Sequence, residues 1–139
     1  MTAPAHQQMI FVNLPVTDLD ASKKFFTELG YSLNPQFSDD NAASVVISDT
    51  IVAMLLTKPF YATFTKKEIA DATKTSEVLV ALSSESREKV DELVDRALAL
   101  GATPSGQTQD MGFMYGRSFD DLDGHTWEIV WMDPAAVEG

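Results

Sequence analysis

The sequence predicts an α+β fold: two paired βαβββ modules that form a cupped, partly closed mixed sheet with the helices outside. The main observation is a repeat of element order. Strand, helix and three strands occur twice, in halves of about 50 residues, a period at which internal repeats signal architecture. A second observation is the ratio of elements. One amphipathic helix accompanies four strands in each half, so each sheet has a face to pack on its helix and a second face that has to line something. The length, 139 residues, suits a single domain, 1–139, with enough chain to bury a core. Its predicted parts are module one at 9–57, a connecting segment at 58–76 and module two at 77–133.

Module one opens with a strand at 9–16. Phe11, Asn13 and Pro15 share one face, while Ile10, Val12, Leu14 and Val16 share the other, which is apolar throughout and suits packing on helices. Pro15 donates nothing to a ladder, so this strand is expected to lie at an edge or to end there. Asp18 reads as a helix N-cap, with Asp20 in the positive first turn; Ser22, Phe25, Phe26 and Leu29 follow at helical spacing, and Gly30 is the stop. Strands are expected at 31–37, 42–47 and 51–57. In the connecting segment, Phe60, Tyr61 and Phe64 read as a lid or as a hydrophobic plug. Thr65-Lys66-Lys67-Glu68 has the capping-box pattern and predicts a short helix.

Module two repeats the order. A strand at 77–82 precedes a helix whose apolar stripe is Val90, Leu93, Val94, Ala97 and Leu100, ended by Gly101. Strands follow at 103–107, 113–119 and 125–132, the last two joined by a tight Asp123-Gly124 turn. The final strand carries one acid, Glu128, on the face opposite Trp127 and Trp131, which are expected in a core or a dimer interface.

Composition narrows the function classes. The net charge is -11, which opposes encounter with nucleic acid or anionic lipid and suits a cationic ligand, or simply keeps the chain soluble. With no cysteine, a disulfide framework, a thiol nucleophile and a thiolate metal site are all excluded. No apolar run is long enough to cross a bilayer, and the first residues lack a secretory pattern, so a cytoplasmic location is expected. A glycine-rich phosphate loop and a Gly-x-Ser-x-Gly elbow are both missing.

The stretch from Val16 to Phe26, followed by Leu29-Gly30-Tyr31, resembles the opening of vicinal oxygen chelate proteins. The stretch from Leu122 to Glu128 is similar to that superfamily's closing turn and strand. The superfamily includes glyoxalase I, extradiol dioxygenases, fosfomycin-resistance enzymes and bleomycin-resistance proteins. The resemblance implies a homodimer, a pocket inside the cupped sheets, and a divalent metal held by His or Glu from the first and last strands of the modules. Carried over by position, those four places are Phe11, Leu55, Glu77 and Glu128. Phe11 and Leu55 do not coordinate metals, so no metal centre is expected. Any metal would rest on Glu77 and Glu128, which suit magnesium better than zinc, nickel or iron.

The chain has two histidines. His6 lies in a polar N-terminal arm, and His125, three positions before Glu128, points to the opposite face of a regular strand. If Glu77 and Glu128 both face inward, they require a shared proton, a bridging cation or a donor such as Arg117. Asn13 is placed to hydrogen-bond a ligand. Phe113, Tyr115, Arg117 and Phe119 alternate on one face; they either clamp a planar or anionic ligand or form the outer sheet face under a helix. The expected ligand contacts are Phe11, Asn13, Leu55, Glu77, Tyr115, Arg117 and Glu128. The leading expectation is a protein that sequesters a cationic or aromatic small molecule. Its rivals are a metal-dependent glyoxalase-like lyase or dioxygenase, with Glu77 and Glu128 as candidate catalytic residues, and an interaction module whose cleft is filled.

Overall fold

A computed structural model describes residues 6–137. The chain divides into two compact units, one running to Ile69 and the other from Ala70. Among the described residues no helix is long and apolar enough to cross a membrane.

The first unit is a βαβββ module. Strand β1 (Ile10–Val16) runs parallel to β4 (Ile51–Thr57), which pairs antiparallel with β3 (Ala42–Val46), which pairs with β2 (Ser32–Leu33). The order β1-β4-β3-β2 puts β1 at an edge of this sheet, as Pro15 requires. The parallel crossover is α1 (Leu19–Leu29). It starts where the Ala21 N–H donates to Asp18 Oδ1 at 3.0 Å and stops at Gly30, whose φ of 124° favours glycine. Its apolar face buries Leu19, Phe25, Phe26 and Leu29. The two phenylalanine rings meet edge to face, 5.0 Å apart. Each such side chain contributes about 1.5–3 kcal/mol by leaving water. Helix α1 packs on β3 and β4.

Two expectations in this unit fail for local reasons. The strand expected at 31–37 shrinks to β2, because the Gln36 N–H turns back to Asn34 Oδ1 at 3.0 Å and Pro35 starts a 3₁₀ turn. The capping box at Thr65 opens no helix. Thr65 Oγ1 accepts the Lys67 N–H, two residues on, which makes a turn instead. The short helix of this segment, α2 (Lys58–Tyr61), begins earlier, where the Phe60 N–H donates to Thr57 Oγ1 and Pro59 sits in the first turn.

The second unit repeats the scheme. Strand β5 (Leu79–Ser84) is parallel to β9 (Thr126–Met132), which pairs antiparallel with β8 (Met114–Asp120). Short strands β6 (Thr103–Pro104) and β7 (Gln109–Asp110) both pair with β8. The expected strand at 103–107 breaks early, and Gly106, at φ 61°, turns the chain. The crossover is α3 (Arg87–Ala99), capped where the Lys89 N–H donates to Ser86 Oγ, with Val90, Val94 and Ala97 buried. A four-residue helix, α4 (Pro134–Val137), follows β9.

Charge pairs fasten α3 to its sheet. Arg117 Nη1 lies 2.9 Å from both Asp91 Oδ1 and Asp95 Oδ1, and the Tyr115 hydroxyl donates to Asp91 Oδ1 at 2.6 Å. At the start of the helix, Arg87 donates two bonds to the Asp110 carboxylate, at 3.0 and 2.9 Å, and a third to the Gly112 carbonyl at 2.8 Å. Its guanidinium stands 5.1 Å from the Tyr115 ring centre and 5.2 Å from that of Trp131.

The Arg87 hydrogen bonds, together with the Gly112 N–H, lower the Asp110 carboxyl from 3.8 to about 2. A depressed folded pKa contributes stability above the unfolded value that is lost as pH falls through the folded one. Asp110→Asn should therefore lose less unfolding free energy than the parent chain between about pH 4 and about pH 2, measured by urea unfolding; equal losses would mean that the pair adds nothing. A backbone test lies at Gly124, where φ is 88° and an added Cβ would stand 2.8 Å from the Thr73 nitrogen and 2.9 Å from the Ala72 carbonyl. Gly124→Ala should cost about 2 kcal/mol in chemical denaturation.

Candidate functional site

Paired residues of neighbouring strands share a sheet face, so the register decides what each face offers. In the first unit, Leu14, Ala43, Val45, Ala53 and Leu55 share one face and are all at most 4% exposed; this is the face under α1. The opposite face carries Phe11, Asn13 and Pro15 of β1 beside Val52, Met54 and Leu56 of β4. Here Phe11 is 54% exposed and Asn13 is exposed, its Nδ2 donating weakly to the Phe11 carbonyl at 3.4 Å.

Leu55 is consequently not a ligand-facing position, and the expectation placed on it is corrected. It is fully buried beneath α1, on the face opposite Phe11. The β4 residue beside Asn13 is Met54. The slip of one residue arose because Ile51 to Leu56 is apolar at every position, so alternation is unreadable there.

A pocket of about 270 Å³ opens on this face, away from α1, lined by Asn13, Leu56, Tyr61, Phe64 and Thr65. The chain after β4 builds its wall. Helix α2 presents Tyr61, and the 3₁₀ turn Ala62–Phe64 presents Phe64. Phe64 is 69% exposed, with its ring edge to face with Phe60 at 5.1 Å. So exposed a ring lines a wall rather than plugging a core. Sequence reasoning singled out the aromatics and Asn13 separately; only the β1–β4 pairing and the α2 turn bring them together.

In the second unit the decisive local device is Asp121. Its carboxylate is 6% exposed and accepts three N–H groups: Asp123 at 2.9 Å and His125 at 3.0 Å on Oδ1, and Trp127 Nε1 at 2.9 Å on Oδ2. Burial pushes this carboxyl up, opposed by the nearby His125 and by those donors. The turn so formed holds His125 ahead of β9 and seats Trp127 in the core under α3, as expected.

With Trp127 inward, Glu128 takes the other face, half-buried between Ala81 of β5 and Ser118 of β8. Exposed Leu79, Ala81 and Ser83 share that face. Tyr115 and Arg117 do not. They pair with Trp131 and Ile129 on the α3 side, where Asp91 and Asp95 hold Arg117. Of the two readings open for the aromatic-arginine stripe, the outer face under a helix is the one realised. Arg117 is therefore no partner for Glu128, and Phe113 lies outside the strand, 45% exposed.

Glu77 is corrected as well. It is an exposed residue in a bend before β5, four positions ahead of Ala81, the residue that pairs with Glu128. At strand rise that offset is roughly 13 Å, so the register does not bring the two carboxylates together. His6 is exposed.

The same register shows what the first and last strands of each module place on these faces. Phe11 pairs with Val52 and Asn13 with Met54; Leu79 pairs with Thr126 and Ala81 with Glu128. The faces turned away from the helices thus carry Phe11 and Met54 in the first unit, and Leu79 and Glu128 in the second. These four positions supply one carboxylate, a donor set that does not fit the divalent metal implied by the resemblance. Among the described residues no group of three or more His, Asp or Glu is placed to hold a metal ion.

Residues 8–48 match the family described as Bleomycin resistance protein-like N-terminal. No curated protein matches the sequence. Among solved structures, a hypothetical protein from S. aureus is 26% identical, with a TM-score of 0.75 over 91% of this chain and 95% of that one. A glyoxalase/bleomycin resistance protein/dioxygenase family enzyme from Burkholderia phytofirmans is 17% identical, with a TM-score of 0.74 over 91% and 99%. A bleomycin resistance determinant encoded on the transposon Tn5 is 16% identical, with a TM-score of 0.64 over 91% and 99%. On its two βαβββ modules, the match of its first module and these structural likenesses, the chain shares the fold of glyoxalase/bleomycin resistance proteins.

Proposed function

We propose that this chain binds a small molecule through the face of its first sheet turned away from α1, without a transition metal and without chemically changing the ligand. The observation that carries this reading is that the first and last strands of the modules turn Phe11, Met54 and Leu79 and a single carboxylate, Glu128, away from the helices, where a metal needs several donors. Hydrocarbon and thioether side chains at the other three positions favour apolar contact over Lewis-acid chemistry. The pocket beside Asn13 adds the other requirement of a binding site: a concave, largely apolar surface with a few polar groups. The match of residues 8–48 to a bleomycin-resistance-like family agrees with sequestration. A metal-dependent lyase or dioxygenase is the rival reading, and Glu128 would have to serve it without Glu77 beside it.

Elemental analysis of protein purified without added metal tests the metal-free part. Nickel, zinc and iron should each be well below one equivalent; one equivalent that disappears in Glu128→Gln would sink the proposal. A thermal-shift screen of aromatic and cationic compounds tests the binding part. Compounds that raise Tm should bind about tenfold more weakly to Phe11→Ala, a loss of about 1.4 kcal/mol. A screen without a single stabilising compound would count against binding.

A further inference from the structure

We infer that the pocket of the first module takes an uncharged, planar aromatic molecule of one or two rings that carries both a hydrogen-bond donor and an acceptor. This rests on the reading of the chain as a small-molecule-binding protein and names the class of ligand.

The five lining residues, Asn13, Leu56, Tyr61, Phe64 and Thr65, are all uncharged. A charged group entering the pocket would give up hydration with no opposite charge from that wall to replace it. The net charge of -11 does not reverse this. Long-range attraction is screened within about 8 Å at physiological salt and acts on the encounter rate, whereas desolvation is a loss in the bound state. The chain's acidity therefore says little about what this pocket holds.

The apolar part of the wall is flat. Tyr61 and Phe64 are ring systems, and Phe64 is 69% exposed, so a planar ligand would cover ring surface that water now touches. The volume, about 270 Å³, is near the lower end of ligand pockets, roughly 300–1,000 Å³, which limits the guest to one or two rings.

The polar part of the wall matches a neutral donor–acceptor edge. The Asn13 amide offers both a carbonyl and an N–H, its Nδ2 being held only by a 3.4 Å bond to the Phe11 carbonyl. Thr65 Oγ1 already accepts the Lys67 N–H at 3.1 Å, which leaves its hydroxyl proton to donate to a ligand. The Tyr61 hydroxyl adds a group of either sense.

Three nearly isosteric probes separate the classes: benzamide, the benzamidinium cation and benzoate. Each is titrated into the full chain at physiological ionic strength and followed by amide NMR. Benzamide should shift the signals of Asn13, Leu56, Tyr61, Phe64 and Thr65, with a Kd at least tenfold lower than either ion. Asn13→Ala should weaken benzamide about tenfold, and Tyr61→Phe less, with the remaining signals unmoved in both variants. Tighter binding of benzamidinium or benzoate at these residues would overturn the neutral class while leaving small-molecule binding intact. Benzamide shifts that fall elsewhere, or none at all, would overturn the pocket assignment. The metal analysis and the compound screen decide the broader reading independently.

Discussion

A strand sends successive side chains to opposite faces, and in each module one of those faces is sealed by a helix. This constraint governs the rest of the structure. Once Leu14, Val45 and Leu55 are committed to α1, and Phe119, Trp127 and Ile129 to the α3 side, the residues between them have no choice of face. Phe11, Asn13 and Met54 are what remains on the open face in the first unit, and Glu128 in the second. A shift of one residue in either register would exchange these sets entirely.

The same constraint explains how the charged residues are spent. Arg117 and Tyr115 look like ligand-binding groups in sequence, yet they fall on the helix side and are consumed by Asp91 and Asp95. Arg87 is held by Asp110 and flanked by two aromatic rings. Asp121 is the most buried of these acids, and its carboxylate organises the turn that orients β9. Structural work thus accounts for several side chains whose chemistry would otherwise invite a catalytic reading. Glu128 is different: its face offers small and apolar neighbours rather than a cation.

Phe11 and Leu79 stand on the first strands of their modules, and Met54 and Glu128 on the last, all turned away from the helices. Three of these four positions gain by leaving water and offer nothing to a hard cation. In the first module the chain after β4 turns back as α2 and adds aromatic wall to that face.

Much of the fold was legible because local signals agree with one another. Asp18 and Gly30 bracket α1, Pro15 marks an edge, the Asp123-Gly124 turn joins β8 to β9, and the repeated element order is visible without any contact information. The candidate site was legible only in part. Phe11, Asn13 and Glu128 sit in strands whose polar and apolar residues differ enough to assign a face. Leu55 was misplaced because the run around it, Ile51 to Leu56, is apolar at every step, and a uniform run carries no phase, whereas Glu77 was misplaced because β5 begins two residues later, at Leu79. The sequence by itself determined the modules, their helices and their turns, since these rest on neighbours a few residues apart. Strand register and the meeting of Asn13 with Tyr61, Phe64 and Thr65 were decided only by the tertiary structure, because they depend on hydrogen bonds between segments some 40–50 residues apart, whose pairing no local pattern encodes.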